Sequence, residues 1–306
     1  MTAMMMTARR GFAANTSLIA IAAGLALLLG AGVYAYIVAN AMLAGLVASS
    51  PAVAAALVAT LGTALATGAG ALPVLFVRRI SASVQDTMLG FAAGVMLAAS
   101  VFSLILPAID AGTTLTGAKL GGALIAAAGV LLGGTMLAAG DRLLPHEHIF
   151  KGHEGPPTAN VSRVWLFIFA ITLHNVPEGL AVGVGFAGGD AVSALPLALG
   201  IAVQNIPEGL AVALALLTLK YSPARAALIA LATGMVEPIG GLIGAGVVTL
   251  SAPLLPWGLA FAGGAMLYVI SHEIIPETHR NGHESRATAG LLAGFVLMMM
   301  FDTMLA

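Results

Sequence analysis

Cysteine is missing from this sequence altogether. No disulfide, thiolate metal site or iron–sulfur cluster can be built from it. Charge is nearly as scarce: Asp, Glu, Lys and Arg make up 8% of the 306 residues, against about 25% in an ordinary soluble domain. With a net charge of −1 and so few charges, no basic face for nucleic acid can be assembled. Aromatic residues are 6% and none closely flanks the polar motifs described below, so a roomy aromatic-lined pocket for an organic solute is not indicated. What is present is apolar: 59% hydrophobic residues, a mean hydropathy of +1.02, and long apolar runs along the whole length. The composition is that of a polytopic membrane protein.

Nine runs are long enough to cross a bilayer at about 20 residues each. They cover approximately 17–42, 51–77, 85–108, 119–140, 164–188, 192–219, 223–250, 255–278 and 286–305. Backbone groups in lipid must be satisfied internally, and the alternation of β-barrel strands is missing, so an all-α chain is expected. Residues 1–48 read as an N-terminal tail with one extra transmembrane helix, and 49–306 as an eight-helix core. "RRGF" at 9–12 has the look of a twin-arginine signal and "ANA" at 39–41 of a cleavage site, but the apolar run exceeds a signal's usual core, so an uncleaved helix is expected. Eleven of the twelve basic residues fall on one side: Arg9, Arg10, Arg78, Arg79, Arg142, Lys151, Arg163, Lys220, Arg225, Arg280 and Arg286, with only Lys119 opposite. The positive-inside rule then puts the N-terminus in the cytoplasm and the C-terminus outside. The longest polar segment, 141–163, becomes a cytoplasmic loop, and its Gly and Pro residues argue for flexibility.

Two consecutive spans carry nearly the same phrase, "HNVPEGLAV" at 174–182 and "QNIPEGLAV" at 204–212. Each copy lies ten to fifteen residues into its span, hence near the membrane midplane, and the two spans run in opposite directions. A second echo links "FAAGVMLAASVFSLILP" at 91–107 with "FAGGAMLYVISHEIIP" at 261–276. Inverted repeats with polar residues at the midplane mark secondary transporters.

On a helix, His174 and Glu178 share one face and Asn175 meets Glu178 on an adjoining one. Gln204, Asn205 and Glu208 repeat the pattern. Each Glu can bridge two cations. Pro177 and Pro207 cannot donate to the carbonyls one turn earlier, so a kink and freed carbonyls are expected beside the site. Glu237, ahead of Pro238 in "GMVEPIG", adds a third carboxylate deep in a span. Each ionised carboxylate at the bilayer centre costs about 2.5–3.5 kcal/mol on insertion scales. No Lys or Arg occurs in these segments, so a divalent cation is the expected source of positive charge, with protonation as its rival or its alternating partner. Imidazole, carboxylate and amide oxygen suit Zn, Fe, Mn or Cd, and Met96 or Met266 could add a thioether; without Cys, Cu(I) is disfavoured. The bland alternative is a structural polar network, because single membrane His or Asn residues are usually interhelical glue.

Other polar positions outline a path. Ser103, Asp110 and Asp302 lie toward the outer helix ends and form a candidate entrance. His272, Glu273 and Glu277 lie toward the inner end of theirs, followed by His279 and His283, and form a candidate exit with the loop residues His146, Glu147, His148, His153 and Glu154. Helix-end polarity and loop solvation would explain the same residues without a path.

With "HNVPEG" and "QNIPEG" on consecutive spans, "EP" on the next and "HEIIPETHR" closing the one after, the chain resembles the Zrt/Irt-like (ZIP) family of divalent metal transporters, its bacterial members in particular. The likeness covers about 50–306. It implies eight core helices in a 3+2+3 inverted-repeat arrangement plus the extra N-terminal helix. It also implies a binuclear site, with one metal on Met96, His174, Glu178, Gln204 and Glu208. The other would lie on Asn175, Glu178, Asn205, Glu208 and Glu237. Gln204 stands where a His would bind transition metal better, and Asn205 is neutral where an acid would strengthen the second position. The resemblance further implies metal flow into the cytoplasm across the bacterial inner membrane, an elevator-like movement of four helices against four, and a homodimer. Small-residue spacing such as Gly129 with Gly133 is the local support for the dimer.

The alternatives differ in what they would need. An intramembrane metalloprotease needs H-E-x-x-H on a helix; "HEIIP" at 272–276 ends in Pro276, and "HEHIF" at 146–150 lies in the loop. No activated nucleophile is present, so no enzyme is expected. A proton-coupled carrier of another solute and a metal-gated channel are the other two. The expected cargo is a divalent metal, Zn first, and no organic cofactor is indicated.

Overall fold

The computed structural model describes residues 45, 50–77, 79–143, 146–148, 152–154, 163–188 and 191–305. The first expected span, 17–42, lies outside them. By its contacts the chain divides into two units, Met1–Pro51 and Ala52–Ala306.

Among the described residues, eight helical runs follow in order. Helix α1 is Pro51–Ala71, extended by one 3-10 turn, Leu72–Leu75. Helix α2 spans Ala82–Thr116, and α3 Lys119–Leu143. Helix α4 is Arg163–Gly188, α5 Ala191–Thr218, and α6 Pro223–Leu250. Helix α7 runs within Ala252–Thr278, and α8 is Glu284–Leu305. Seven of these are long and apolar enough to cross a membrane. The eighth, α4, has 26 residues, more than the roughly 20 a bilayer requires. The molecule is a polytopic helical membrane protein.

Local chemistry sets the ends. Ser81 caps α2 by accepting from the Val84 amide, and Ser222 caps α6 by accepting from Arg225, with Pro223 at the first turn where a missing N–H costs nothing. Gly117 closes α2 in the left-handed region at φ 71°, a conformation that only glycine adopts freely.

One expectation changes. The loop within 141–163 contains an antiparallel hairpin, β1 (His146–His148) with β2 (Gly152–Glu154), so this loop is not wholly irregular. His146 pairs opposite Glu154 and Glu147 opposite His153, and β1 runs beside α4. Helices α4 and α5 run through Pro177 and Pro207 as single α-helices, because the flanking turns keep their own donors. Irregular backbone is found in two further helices. Helix α2 contains a π segment, Ala99–Ile105, and α7 another, Ile270–Ile274. Both fall inside the echoing sequences, and both are followed by a helix with Pro in its first turn.

Glycine lets the helices touch backbone to backbone. A Cβ on Gly94 or Gly294 of the α2–α8 pair would fall on the carbonyls of Leu291 and Phe91. In the α3–α7 pair, Gly264 and Gly133 do the same against Val130 and Phe261. Phe91 and Phe261 open the two echoing sequences, so the pairs correspond residue by residue. Helices α1 and α5 meet at Gly209 on Thr67 and Gly70 on Ile206, while α4 and α6 meet at Gly179 on Glu237 and Gly240 on Val176. Gly129 and Gly133 are used in this way against Ala260 and Phe261 of α7, so they do not support a dimer contact.

Two apolar clusters bracket a polar belt. Along α1, Val53 and Ala56 belong to the first cluster and Ala71 and Val74 to the second, with Thr60, Thr63 and Thr67 buried between. Along α4 the order reverses: Ile171 belongs to the second cluster and Ala181 to the first, with Asn175 and Glu178 between. Helix α5 runs from Ile201 in the first cluster through Gln204 and Asn205 to Val212 in the second. The belt therefore lies mid-span, and α4 and α5 are antiparallel.

Candidate metal centre

The belt gathers residues from four helices. Asn175 and Glu178 come from α4, Gln204, Asn205 and Glu208 from α5, Glu237 from α6, and Thr63 and Thr67 from α1. Asn175, Glu178, Gln204, Asn205 and Glu237 are each 1% exposed or less. Glu178, Glu208 and Glu237 lie close enough to feel one another's charge, and Glu208 also feels His174 and Glu273. The sequence has no Lys or Arg between residues 164 and 219 or between 226 and 279. The cluster is thus strongly acidic and shielded from water, where charges interact far more strongly than at a surface.

Helix α6 is interrupted at Met235 and Val236, and Glu237 opens its second half. Its carboxylate sits at a helix N-terminus, where the peptide dipoles favour negative charge. Thr67 Oγ1 donates to Glu237 Oε1 at 3.4 Å and Asn205 Nδ2 donates to the same oxygen at 2.9 Å. Asn205 Nδ2 also reaches the Thr63 carbonyl at 3.0 Å, and its own Oδ1 accepts from Gln204 Nε2.

Several polar atoms are buried without a hydrogen bond: both carboxylate oxygens of Glu178, both amide atoms of Asn175, Gln204 Oε1 and Glu237 Oε2. The Gln204 amide is near Glu178 but falls short of hydrogen-bond geometry. Each such orphan ordinarily costs about 1–3 kcal/mol. Orphaned oxygens in one acidic pocket are the donor set a hard or intermediate cation needs.

The residues expected on the path divide. His174 Nε2 pairs with Glu273 Oε2, so Glu273, expected at the exit, reaches the belt itself. Among the described residues no three His, Asp or Glu side chains converge on one point. His272 stacks on Tyr268 with ring centroids 5.0 Å apart. Glu277 is half-buried at the end of α7. Ser103 donates to Asp302 at 2.7 Å, joining two of the three entrance residues across α2 and α8, whereas Asp110 is exposed further along α2. Met96 and Met266 are both buried in the first apolar cluster. His146 and His148 are placed by backbone on β1.

Two participants, and one residue that ties helices together away from the belt, escape a motif reading. Thr63 and Thr67 sit in an Ala- and Gly-rich helix, and only their helical spacing with Thr60 signals a shared polar face. Asp86, 3% exposed at the start of α2, accepts from Asn281 Nδ2 at 3.1 Å and meets His283 Nδ1 at 2.7 Å, tying the turn before α8 to α2.

Helices of this number and length around a mid-span carboxylate belt define a class, the polytopic membrane transport proteins. Within it, the chain belongs to the ZIP zinc transporter family, whose pattern, described as ZIP Zinc transporter, matches residues 142–302. Zinc transporter ZIPB of Bordetella bronchiseptica is 51% identical over 240 residues, 78% of each chain. Zinc transporter GufA of Myxococcus xanthus is 52% identical over 248 residues, 81% of this chain and 98% of that protein. Human zinc transporter ZIP11 is 35% identical over 328 aligned residues, covering 81% of this chain and 96% of its own. The family is one of transporters, not of enzymes.

Proposed function

We propose that this protein imports divalent transition metal, Zn first and also Cd, Fe or Mn, across the bacterial inner membrane into the cytoplasm. The observation that carries the reading is the belt of Glu178, Glu208 and Glu237, with both oxygens of Glu178 and one of Glu237 buried without partners and no Lys or Arg between residues 164 and 219 or between 226 and 279. A divalent cation supplies the missing charge. Relatives named as zinc transporters make Zn the first candidate.

Glu178 and Glu208 stand between two donor groups. Met96, His174 and Gln204 serve one cation position, and Asn175, Asn205 and Glu237 surround the other. Metal enters by Ser103, Asp110 and Asp302, loses water to the belt, and leaves by Glu273, His272 and Glu277 toward His146 and His148. A transport site must bind well enough to dehydrate the ion and weakly enough to release it. The shared Glu273–His174 pair is suited to handing the ion from belt to exit, because the cation must displace one partner to bind the other.

The corresponding glycine contacts support a 3+2+3 inverted repeat, with α1–α3 and α6–α8 as the repeated triplets and α4 and α5 between them. An elevator-like movement would slide the four-helix group α1, α4, α5 and α6, which carries the belt, against α2, α3, α7 and α8. The N-terminus faces the cytoplasm and the C-terminus the periplasm by the basic-residue count. Residues 49–306 are the transporter, and the tail and extra helix expected at 1–48 lie, residue 45 aside, outside the described residues. A homodimer would use surfaces other than Gly129 and Gly133, which are engaged within the protomer.

The test is uptake of Zn, Cd, Fe(II) and Mn into proteoliposomes holding a fluorescent chelator, beside folded Glu178→Ala and Glu208→Ala proteins. Uptake by the wild type that vanishes in both variants is the expected result. No uptake by folded wild type, with or without a pH gradient or voltage, would sink the importer reading and favour a proton-coupled carrier of another solute.

A further inference from the structure

The two copies of the motif place Asn175 and Asn205 at equivalent positions, yet the two amides are used differently. Both atoms of Asn175 are buried without partners. Asn205 is fully engaged: Nδ2 donates to the Thr63 carbonyl and to Glu237 Oε1, and Oδ1 accepts from Gln204 Nε2. Chemistry fixes which way this amide points. A backbone carbonyl and a carboxylate both only accept, so the NH2 group must face them. The Asn205 oxygen is then turned away from Glu237, and Glu237 is presented with a donor where a cation would need an acceptor.

The asymmetry has a local cause. Gly179 of the first motif packs on the backbone of Glu237, and Gly209 of the second packs on that of Thr67. Thr67 therefore occupies, on α1, the place that Glu237 occupies on α6. One half of the repeat contributes a carboxylate and the other a hydroxyl, and that hydroxyl donates to the carboxylate. Glu237 Oε1 thus receives two donors, from Asn205 and from Thr67, while Glu178 receives none.

We infer that Asn205 sets how many divalent cations the belt holds: its amide N–H group stands in for a second cation beside Glu237, so one ion binds on the His174, Glu178, Gln204 and Glu208 side. A second ion enters only if the amide turns over, which breaks its bonds to Glu237, Thr63 and Gln204 together. Three buried hydrogen bonds lost amount to an affinity about 100-fold weaker for the second ion than for the first. Replacing the amide by a carboxylate removes the donor and adds an acceptor, converting the belt to two comparable positions. The inference rests on the proposed metal site and adds its stoichiometry and the residue that sets it.

The experiment is a Cd²⁺ titration of the full chain in nanodiscs by calorimetry, for wild type, Asn205→Asp and Asn205→Ala, each compared with the same protein carrying Glu178→Ala. Tight sites lost on adding Glu178→Ala count as belt sites, so binding at the loop histidines cancels. One belt site in the wild type, and two in Asn205→Asp, is the expected outcome. Asn205→Ala should bind a second ion more weakly than Asn205→Asp does. Two tight belt sites in the wild type would overturn the inference while leaving the importer reading intact, and this needs no variant at position 205 to fold. No belt site in the folded wild type would overturn both.

Discussion

Glu273 is the residue whose role the structure changes most. Its place in "HEIIPETHR" points to the inner end of a helix, but the π segment Ile270–Ile274 carries it to His174. Extra-residue bulges of this kind re-aim side chains and recur at functional sites. An acid bonded to a ligating imidazole fixes its orientation, and losing it costs about 10–100-fold in metal affinity. Glu273→Gln should therefore weaken Cd²⁺ binding by about that factor while His174→Ala weakens it at least as much. If Glu273→Gln leaves binding unchanged, the pair does not orient the ligand. Thr67→Val tests a neighbour: it strips one donor from Glu237 and leaves a buried hydroxyl partner unmade, an effect of about 1–3 kcal/mol on thermal stability measured without metal. An unchanged melting temperature would count against the Thr67–Glu237 bond.

Among elements, the pairs α2–α8 and α3–α7 are held by the absence of side chains. A methyl group at Gly133 would lie 2.0 Å from the Phe261 carbonyl, whereas one at Gly134, the next residue, meets only the Gly264 carbonyl at 3.5 Å. Gly133→Ala should destabilise the detergent-solubilised protein by about 1–3 kcal/mol or more, as overpacking does. Gly134→Ala should be neutral or stabilising, since Ala favours helix over Gly by about 1 kcal/mol. Equal melting temperatures for the two variants would mean that α3 and α7 do not pack this closely. The same contrast explains why Gly129 and Gly133, legible as a small-residue stripe, could not reveal their partner: the spacing specifies close approach, not which helix approaches.

At the scale of the whole molecule, the absence of cysteine permits a direct test of sidedness. Ser103→Cys and His272→Cys each introduce a single thiol into a native background without any. In right-side-out vesicles a membrane-impermeant maleimide should label Ser103→Cys from outside and His272→Cys only after the vesicles are opened, and Cd²⁺ should slow both. Labelling of both from the same face would overturn the assigned path or the orientation behind it.

Composition and patterning alone determined that this chain is helical and membrane-embedded, and they located the core helices α1–α8 to within a few residues, except that the π-extended α2 continues to Thr116 where the run was expected to end at 108. Lipid leaves few backbone options, so hydropathy is decisive there. The repeated "NVPEG" and "NIPEG" phrases also named Asn175, Glu178, Asn205, Glu208 and, with "EP", Glu237, because ionisable residues inside apolar runs are conspicuous. Tertiary structure decided the rest. That Asn205 serves Glu237 while Asn175 stays free, that Thr63 and Thr67 belong to the belt, and that Glu273 joins His174 all depend on which helix lies against which. The π segments of α2 and α7 were not legible for a related reason: a proline announces a lost donor in the sequence, but a π segment is set by the packing around it. Helix-to-helix contact is a property of the packed chain, and no residue spacing along one helix encodes its neighbour.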